Sequence, residues 1–241
     1  MDNKPTFWHL YKAGGITPAI MGMFNPQNAQ QMAFIRSALK EQRQKALLDT
    51  QLNALEAVVF DLETSGFSAY NGDEILSIGA VAVKGEQVIQ EETFYSLVRP
   101  ERPIPEPIVR LTGIRNEEAA RSPELVQVLR EFLAFVNHRV LIVHGSGHDK
   151  HFLNAALWKT SKAKLTYRIV DCLILAQKLD PSRQSGFDLD SMLQRFGIEI
   201  VGRHHALNDA IMTAKLWSML VLQANERGVH TLGDLYQLMS K

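Results

Sequence analysis

Glu56-Ala57-Val58-Val59-Phe60-Asp61-Leu62-Glu63-Thr64-Ser65-Gly66-Phe67 decides the fold. Ala57 to Leu62 is a short apolar run closed by a Thr-Ser-Gly turn, the pattern of a strand buried on both faces. Two acids interrupt it at i and i+2. On a strand they share one face, roughly 6 to 7 Å apart along it. Such a pair suits solvated strand-end acids, but at the end of a central buried strand it is costly to hide without a cation or hydrogen-bond partners. Hard divalent cations are bound through carboxylates of this kind.

Downstream, Ile75 to Lys84 and Gln87 to Val98 are further strand-like runs, joined through Gly85-Glu86 as a hairpin. Pro100, Pro103, Pro105 and Pro107 predict an extended connection. Ser122-Pro123 then predicts a helix to about His138, with Ser as cap and Pro at the first position. Val140 to Val143 reads as another buried strand, and helical patterns follow over Asp149 to Trp158, Cys172 to Leu179, Leu189 to Phe196, Leu207 to Ala224 and after Thr231. Strands first, then strands mixed with helices, imply an α/β domain with a mixed sheet. Upstream, residues 1–25 read as an irregular segment that docks onto something. From Asn25-Pro26 to about Leu55 the sequence is free of glycine, with Met32, Ile35, Leu39, Leu48, Leu52 and Leu55 at three- and four-residue steps. That stripe predicts an amphipathic helix packed on its own domain, or an arm for a protein partner or nucleic acid. The expected division is 1–55 as an N-terminal extension, 56–223 as the main domain and 224–241 as a helical tail.

The 241 residues are 46% hydrophobic and 22% charged, with 26 basic and 26 acidic side chains. A core can be buried, and the chain as a whole exerts no long-range pull on a polyanion, so any nucleic-acid contact must be local. Through residue 55 there are six basic and three acidic residues, net +3, leaving 20 and 23, net −3, for the rest. The single Cys172 excludes an internal disulfide framework and fits a reducing cytosol. No run approaches the roughly 18 apolar residues of a membrane span, and Ile16 to Phe24 is broken by Pro18 and Gly22. With no export signal in the first fifteen residues, the expectation is a soluble cytoplasmic protein with no membrane partner.

Two more signals lie downstream. In Val143-His144-Gly145-Ser146-Gly147-His148-Asp149-Lys150-His151, Asp149 stands where a helix should begin, favoured by the helix dipole and able to face a neighbouring strand end; a plain helix cap is the alternative. The three histidines at spacings of four and three invite a zinc reading, which His144 opposes by lying on the strand side of Gly145. In Gly202-Arg203-His204-His205-Ala206-Leu207-Asn208-Asp209-Ala210, Asp209 is again a first-turn carboxylate. His204 lies five residues earlier and reaches the same site only from the preceding loop, from which it can take a proton from water near neutral pH. His205 competes for that role. Asp188 and Asp190 read as caps or surface acids and Asp171 as a helix start, while Trp158, Trp217 and the aromatics of residues 7–11 could stack on bases but are more simply buried.

Phe-Asp-Leu-Glu-Thr-Ser-Gly, then an Asp after a strand and a His-Gly turn, then His-x-Ala-Leu-x-Asp-Ala, in that order, resembles the DnaQ-like, or DEDDh, 3′→5′ exonucleases. These are similar to the epsilon-type proofreading subunits of bacterial DNA polymerase III and to related RNA-trimming enzymes. The resemblance covers about residues 56–223, including Leu111-Thr112-Gly113-Ile114 and Asp171-Cys172-Leu173. It implies a ribonuclease H-like fold, a mixed five-stranded sheet flanked by helices with an N-terminal helical extension. It implies two Mg²⁺ or Mn²⁺ ions, with Asp61, Glu63 and Asp209 at the first, Asp61 bridging to a second and Asp149 completing the cage. His204 would be the general base, and Thr64 and Phe67 would seat the terminal nucleotide of a single-stranded 3′ end, releasing nucleoside 5′-monophosphates. Relatives commonly carry His-Asn at His144-Gly145 and an aromatic at His148. The expected substrate is DNA; the alternatives are an exoribonuclease of the same family and a binding module with a decayed site, recruited through residues 1–55.

Overall fold

The computed structural model describes residues 26–42 and 47–240. The expected docking segment 1–25 lies outside them. Five strands, β1 (Glu56–Thr64), β2 (Ile75–Lys84), β3 (Gln87–Leu97), β4 (Val140–Val143) and β5 (Ile169–Asp171), form one sheet in the order β3-β2-β1-β4-β5. β1 and β2 pair antiparallel, as do β2 and β3, whereas β4 runs parallel to β1 and β5 parallel to β4. This is the expected mixed sheet. β1 lies at its centre because its apolar residues are buried on both faces; β3, largely exposed or half-buried, forms an edge.

The helices are α1 (Pro26–Gln42), α2 (Glu106–Thr112), α3 (Asn116–Ala119), α4 (Leu125–Val136), α5 (Ser146–Ser161), α6 (Cys172–Leu179), α7 (Leu189–Arg195), α8 (Ala206–Glu226) and α9 (Leu232–Ser240). Alternation along β1 sorts them into two layers. Val58, Phe60 and Leu62 face a core with Leu129, Phe132 and Leu133 of α4, Leu153 and Leu157 of α5, and Ile35 and Leu39 of α1. Ala57 and Val59 face the opposite core with Cys172 and Leu175 of α6, Trp217 and Leu220 of α8, and Leu232 and Leu235 of α9. The Trp217 indole N–H donates to the Gly85 carbonyl at 2.8 Å, fastening α8 to the hairpin turn, where Gly85 is left-handed at φ 58°. Among the described residues no helix is long and apolar enough to cross a membrane.

Four local expectations change. The helix predicted to run to Leu55 ends its described part at Gln42, and Leu52 to Ala54 form a separate 3₁₀ turn. Its backbone is committed elsewhere: the Leu52 N–H donates to His230 O at 2.7 Å and the Leu232 N–H to Thr50 O at 2.9 Å. Ile35 and Leu39 therefore pack on one side of the sheet and Leu52 and Leu55 on the other. The proline-rich connection contains α2 and α3, because Pro107 sits in the first turn of α2, where a missing N–H costs nothing. α4 starts at Leu125 with Glu124 at its cap, not at Ser122-Pro123; the Pro123 carbonyl accepts from Arg99 N at 2.9 Å, holding that segment outside the helix. α5 starts at Ser146, three residues before Asp149, after a left-handed Gly145.

Candidate active site

The odd-numbered row of β1 that buries Ala57 and Val59 continues into Asp61 and Glu63, so both acids face the α8 layer. Asp61 pairs with Gly79 of β2. A Cβ on Gly79 would lie 2.1 Å from the Leu207 backbone nitrogen and 2.2 Å from the Ala206 carbonyl carbon. The absent side chain thus lets the start of α8 rest against the sheet, one strand from Asp61. Asp209, in that first turn, comes with it: one carboxylate oxygen from each of Asp61, Glu63 and Asp209 lies within 4.8 Å of the others, and Glu63 and Asp209 are buried. Gly79→Ala is expected to push α8 outward, with a destabilisation of roughly 1–3 kcal/mol and a loss of turnover larger than that destabilisation explains. Thermal unfolding and nuclease rates on one preparation check this, and unchanged turnover would count against the placement of Asp209.

Asp209 Oδ2 accepts from the His204 backbone N–H at 3.1 Å and from the Arg203 guanidinium, whose Nε also holds Asp190 at 2.5 Å. Asp209 Oδ1 is buried and has no hydrogen-bond partner among the described residues. His204 occupies the left-handed region at φ 61°, a rare conformation for a residue with a side chain, between Arg203 and the cap residue His205. The two histidines separate here. The His205 ring stacks on Tyr95 with centroids 4.6 Å apart and planes at 19°, whereas His204 is half-buried on the loop beside Asp209.

Asp149, buried in the first turn of α5, is near enough for its charge to act on Asp61 but stands outside the 4.8 Å group of Asp61, Glu63 and Asp209. Burial first, and then the Asp149, Glu63 and Asp209 charges, push the Asp61 carboxyl well above the ordinary range, although its side chain keeps some surface access. Burial and the Asp209 charge raise Glu63 to about 7; burial, Asp171 and Glu63 raise Asp149 to about 8. Asp149 owes its position to Asp171, at the end of β5. That carboxylate accepts from Gly145 N at 2.9 Å, Ser146 N at 2.6 Å and Leu173 N at 2.9 Å, so it caps α6 and clamps the turn into α5.

An oxygen-only cluster of acids, with one buried carboxylate oxygen unpartnered, fits hard divalent cations. Each raised carboxyl keeps its proton to higher pH in the folded chain than in the unfolded one. That contribution to stability is full below about pH 4 and is lost as pH rises through about 7 for Glu63 and about 8 for Asp149. Between pH 5.5 and 8.5 the metal-free protein is expected to lose a few kcal/mol, roughly 5–10 °C in Tm, with Mg²⁺ restoring most of it at the alkaline end. A Tm that rises with pH in chelator would contradict this.

Thr64 ends β1 next to Glu63, and Phe67 lies in the bend that follows. With its hydroxyl proton given to Gly66 O at 2.7 Å, Thr64 Oγ1 accepts from His148 Nε2 at 3.1 Å, and Phe67 is 87% exposed. The three histidines diverge: His144 Nε2 donates to Phe187 O at 2.8 Å, His148 meets Thr64, and His151 leans on Tyr70. They form no metal group among the described residues. Asp188 caps α7 as expected, accepting from Ser191 N at 3.0 Å. Asp171 starts α6 as expected, but sequence reasoning missed its hold on Gly145 and Ser146, and it missed Gly79 and Arg203; only Gly79, a glycine inside an apolar strand, carried a readable signal of close backbone approach.

Residues 58–217 match the family described as "Exonuclease". The chain is 36% identical over 175 residues to a DNA polymerase III PolC-type protein of Halalkalibacterium halodurans, covering 72% of this chain and 12% of that protein. It is 33% identical over 192 residues to a DNA polymerase III subunit epsilon-like protein of Rhodobacter capsulatus, covering 79% of this chain and 27% of that one. It therefore spans a small part of the relatives' length. In fold it is similar to Exonuclease X in complex with 5′ overhanging duplex DNA, with a TM-score of 0.60 at 20% identity, covering 76% of this chain and 99% of that one. The nuclease domain of 3′hExo, a DEDDh family member bound to rAMP, gives a TM-score of 0.62 at 21% identity, covering 76% and 95%. With a ribonuclease H-like sheet, three acids gathered from β1 and α8, and a family match over most of its length, this chain belongs to the DnaQ-like, DEDDh 3′→5′ exonucleases.

Proposed function

We propose that the protein removes nucleotides one at a time from single-stranded DNA 3′ ends, releasing nucleoside 5′-monophosphates. The observation that carries this is the convergence of Asp61, Glu63 and Asp209 within 4.8 Å beside His204. Asp61, Glu63, Asp149 and Asp209 would hold two divalent ions, Mg²⁺ or Mn²⁺. When bound, such ions neutralise charge at the scissile phosphate and make water more acidic. His204 takes the proton of the attacking water as the new oxygen–phosphorus bond forms and the bond to the leaving 3′ oxygen breaks. Thr64 and Phe67 seat the terminal nucleotide. The DNA polymerase III names of the relatives support DNA, and action within a replication complex, over RNA.

The test is a 5′-labelled single-stranded oligonucleotide, in DNA and RNA versions, incubated with Mn²⁺. A ladder shortening from the 3′ end, faster on DNA, is expected. Faster shortening of RNA would make the protein an exoribonuclease, and no shortening of either would leave a binding module.

A further inference from the structure

Trp158, expected to be buried, is 53% exposed. It belongs to a set. His148, His151, Ala155 and Trp158 follow one another along α5 at steps of three, four and three, and so share one face of the helix. Facing the first turn of that row are Phe67 and Tyr70, exposed by 87% and 70%. The Phe67 and His148 centroids are 5.9 Å apart, and those of Tyr70 and His151 6.2 Å. These four rings and Phe152 line a cavity of about 160 Å³. Past Tyr70 and Phe152 it opens into a groove of about 670 Å³ that runs by Ala155 to Trp158. So large an exposed aromatic surface is rarely without a ligand.

We propose that this row is a track for the single-stranded tail of the substrate, the bases stacking in turn near Tyr70 and His151 and then on Trp158. The inference rests on the exonuclease reading and names how that site grips a strand. The track starts at the acids, since Asp149 adjoins His148, and the nine residues from Asp149 to Trp158 rise about 14 Å. At about 3.4 Å per stacked nucleotide that is room for about four. The chemistry of the walls selects bases over phosphates. Lys159 is committed to Glu74 at 3.1 Å and Glu101 at 2.8 Å, and Arg99 to Glu124 at 2.5 Å. That leaves Arg102 in the groove wall, which has no ion pair among the described residues, and Lys162, whose Nζ lies 5.6 Å from the Trp158 ring centroid, for one or two phosphates, whereas every base offers a face to an aromatic ring.

Fluorescence anisotropy with 5′-labelled oligothymidylates of two to eight nucleotides, in Ca²⁺ to slow cleavage, tests the track. Wild-type affinity is expected to climb with length up to about four nucleotides and then level. Tyr70→Ala should remove the early gain and Trp158→Ala the last one, each by roughly 5- to 100-fold, while Trp158→Phe keeps most of it. Both side chains are exposed, so matching thermal melts will show that the variants fold. Affinity should fall about tenfold or less between 50 and 200 mM salt, as one or two phosphate contacts dictate. Length profiles in both alanine variants that match wild type, or a much steeper salt dependence, would overturn the proposal. Wild-type protein that leaves the same oligonucleotides intact in Mn²⁺ would instead remove the exonuclease reading, so the two failures are distinct.

Discussion

Asp61→Asn is expected to lower turnover by at least about 1,000-fold, a loss of roughly 4 kcal/mol of transition-state stabilisation, within the several kcal/mol expected of metal assistance. Asp61 is the acid most closely surrounded by others: the charges of Asp149, Glu63 and Asp209 all raise its carboxyl. The same crowding makes it a burden without a cation. Removing one charge should relieve repulsion, so the metal-free variant should melt no lower than wild type near pH 8. Lost activity with retained stability separates a metal-ligand role from a folding role. Turnover within tenfold of wild type, measured by nucleotide release at saturating Mn²⁺, would refute the assignment of Asp61.

His204→Ala is expected to reduce kcat by roughly 100- to 10,000-fold, the range for a positioned general base, while Mn²⁺ binding persists because the imidazole is not among the clustered ligands. His205→Ala provides the contrast. Its ring packs on Tyr95, so its loss should change stability more than the chemical step. A larger kcat loss in His205→Ala than in His204→Ala, measured in single-turnover assays, would reverse the assignment made from the loop geometry.

Much of this arrangement could be read from the chain before any coordinates. The apolar run from Ala57 to Leu62 forms the central strand, its odd positions set the face of Asp61 and Glu63, and Gly85-Glu86 turns the hairpin. The His204 to Asp209 spacing requires a loop histidine before a helix, as found. What could not be read depends on distant partners. Asp171 looks like a local helix cap, and only the fold reveals its hold on Gly145 and Ser146, 26 and 25 residues away. Arg203 meets Asp190 and Asp209 from a loop without periodicity. β5 is only three residues long, too short for alternation to register. The stripe from Met32 to Leu55 kept helical spacing across a chain whose two ends pack on opposite sides of the sheet, so periodicity overstated a single helix. Trp158 shows the reverse error: hydrophobicity argues for burial, but only the packing of neighbouring helices decides which face of α5 is covered.

The most direct measurement is a titration of Mn²⁺ into chelator-stripped protein near pH 8, following free ion by its paramagnetic resonance signal, with Asp61→Asn in parallel. Gathered carboxylates predict protein-dependent loss of the free signal, up to two ions per chain, that disappears in the variant. A free signal that follows the buffer control throughout would contradict the whole account.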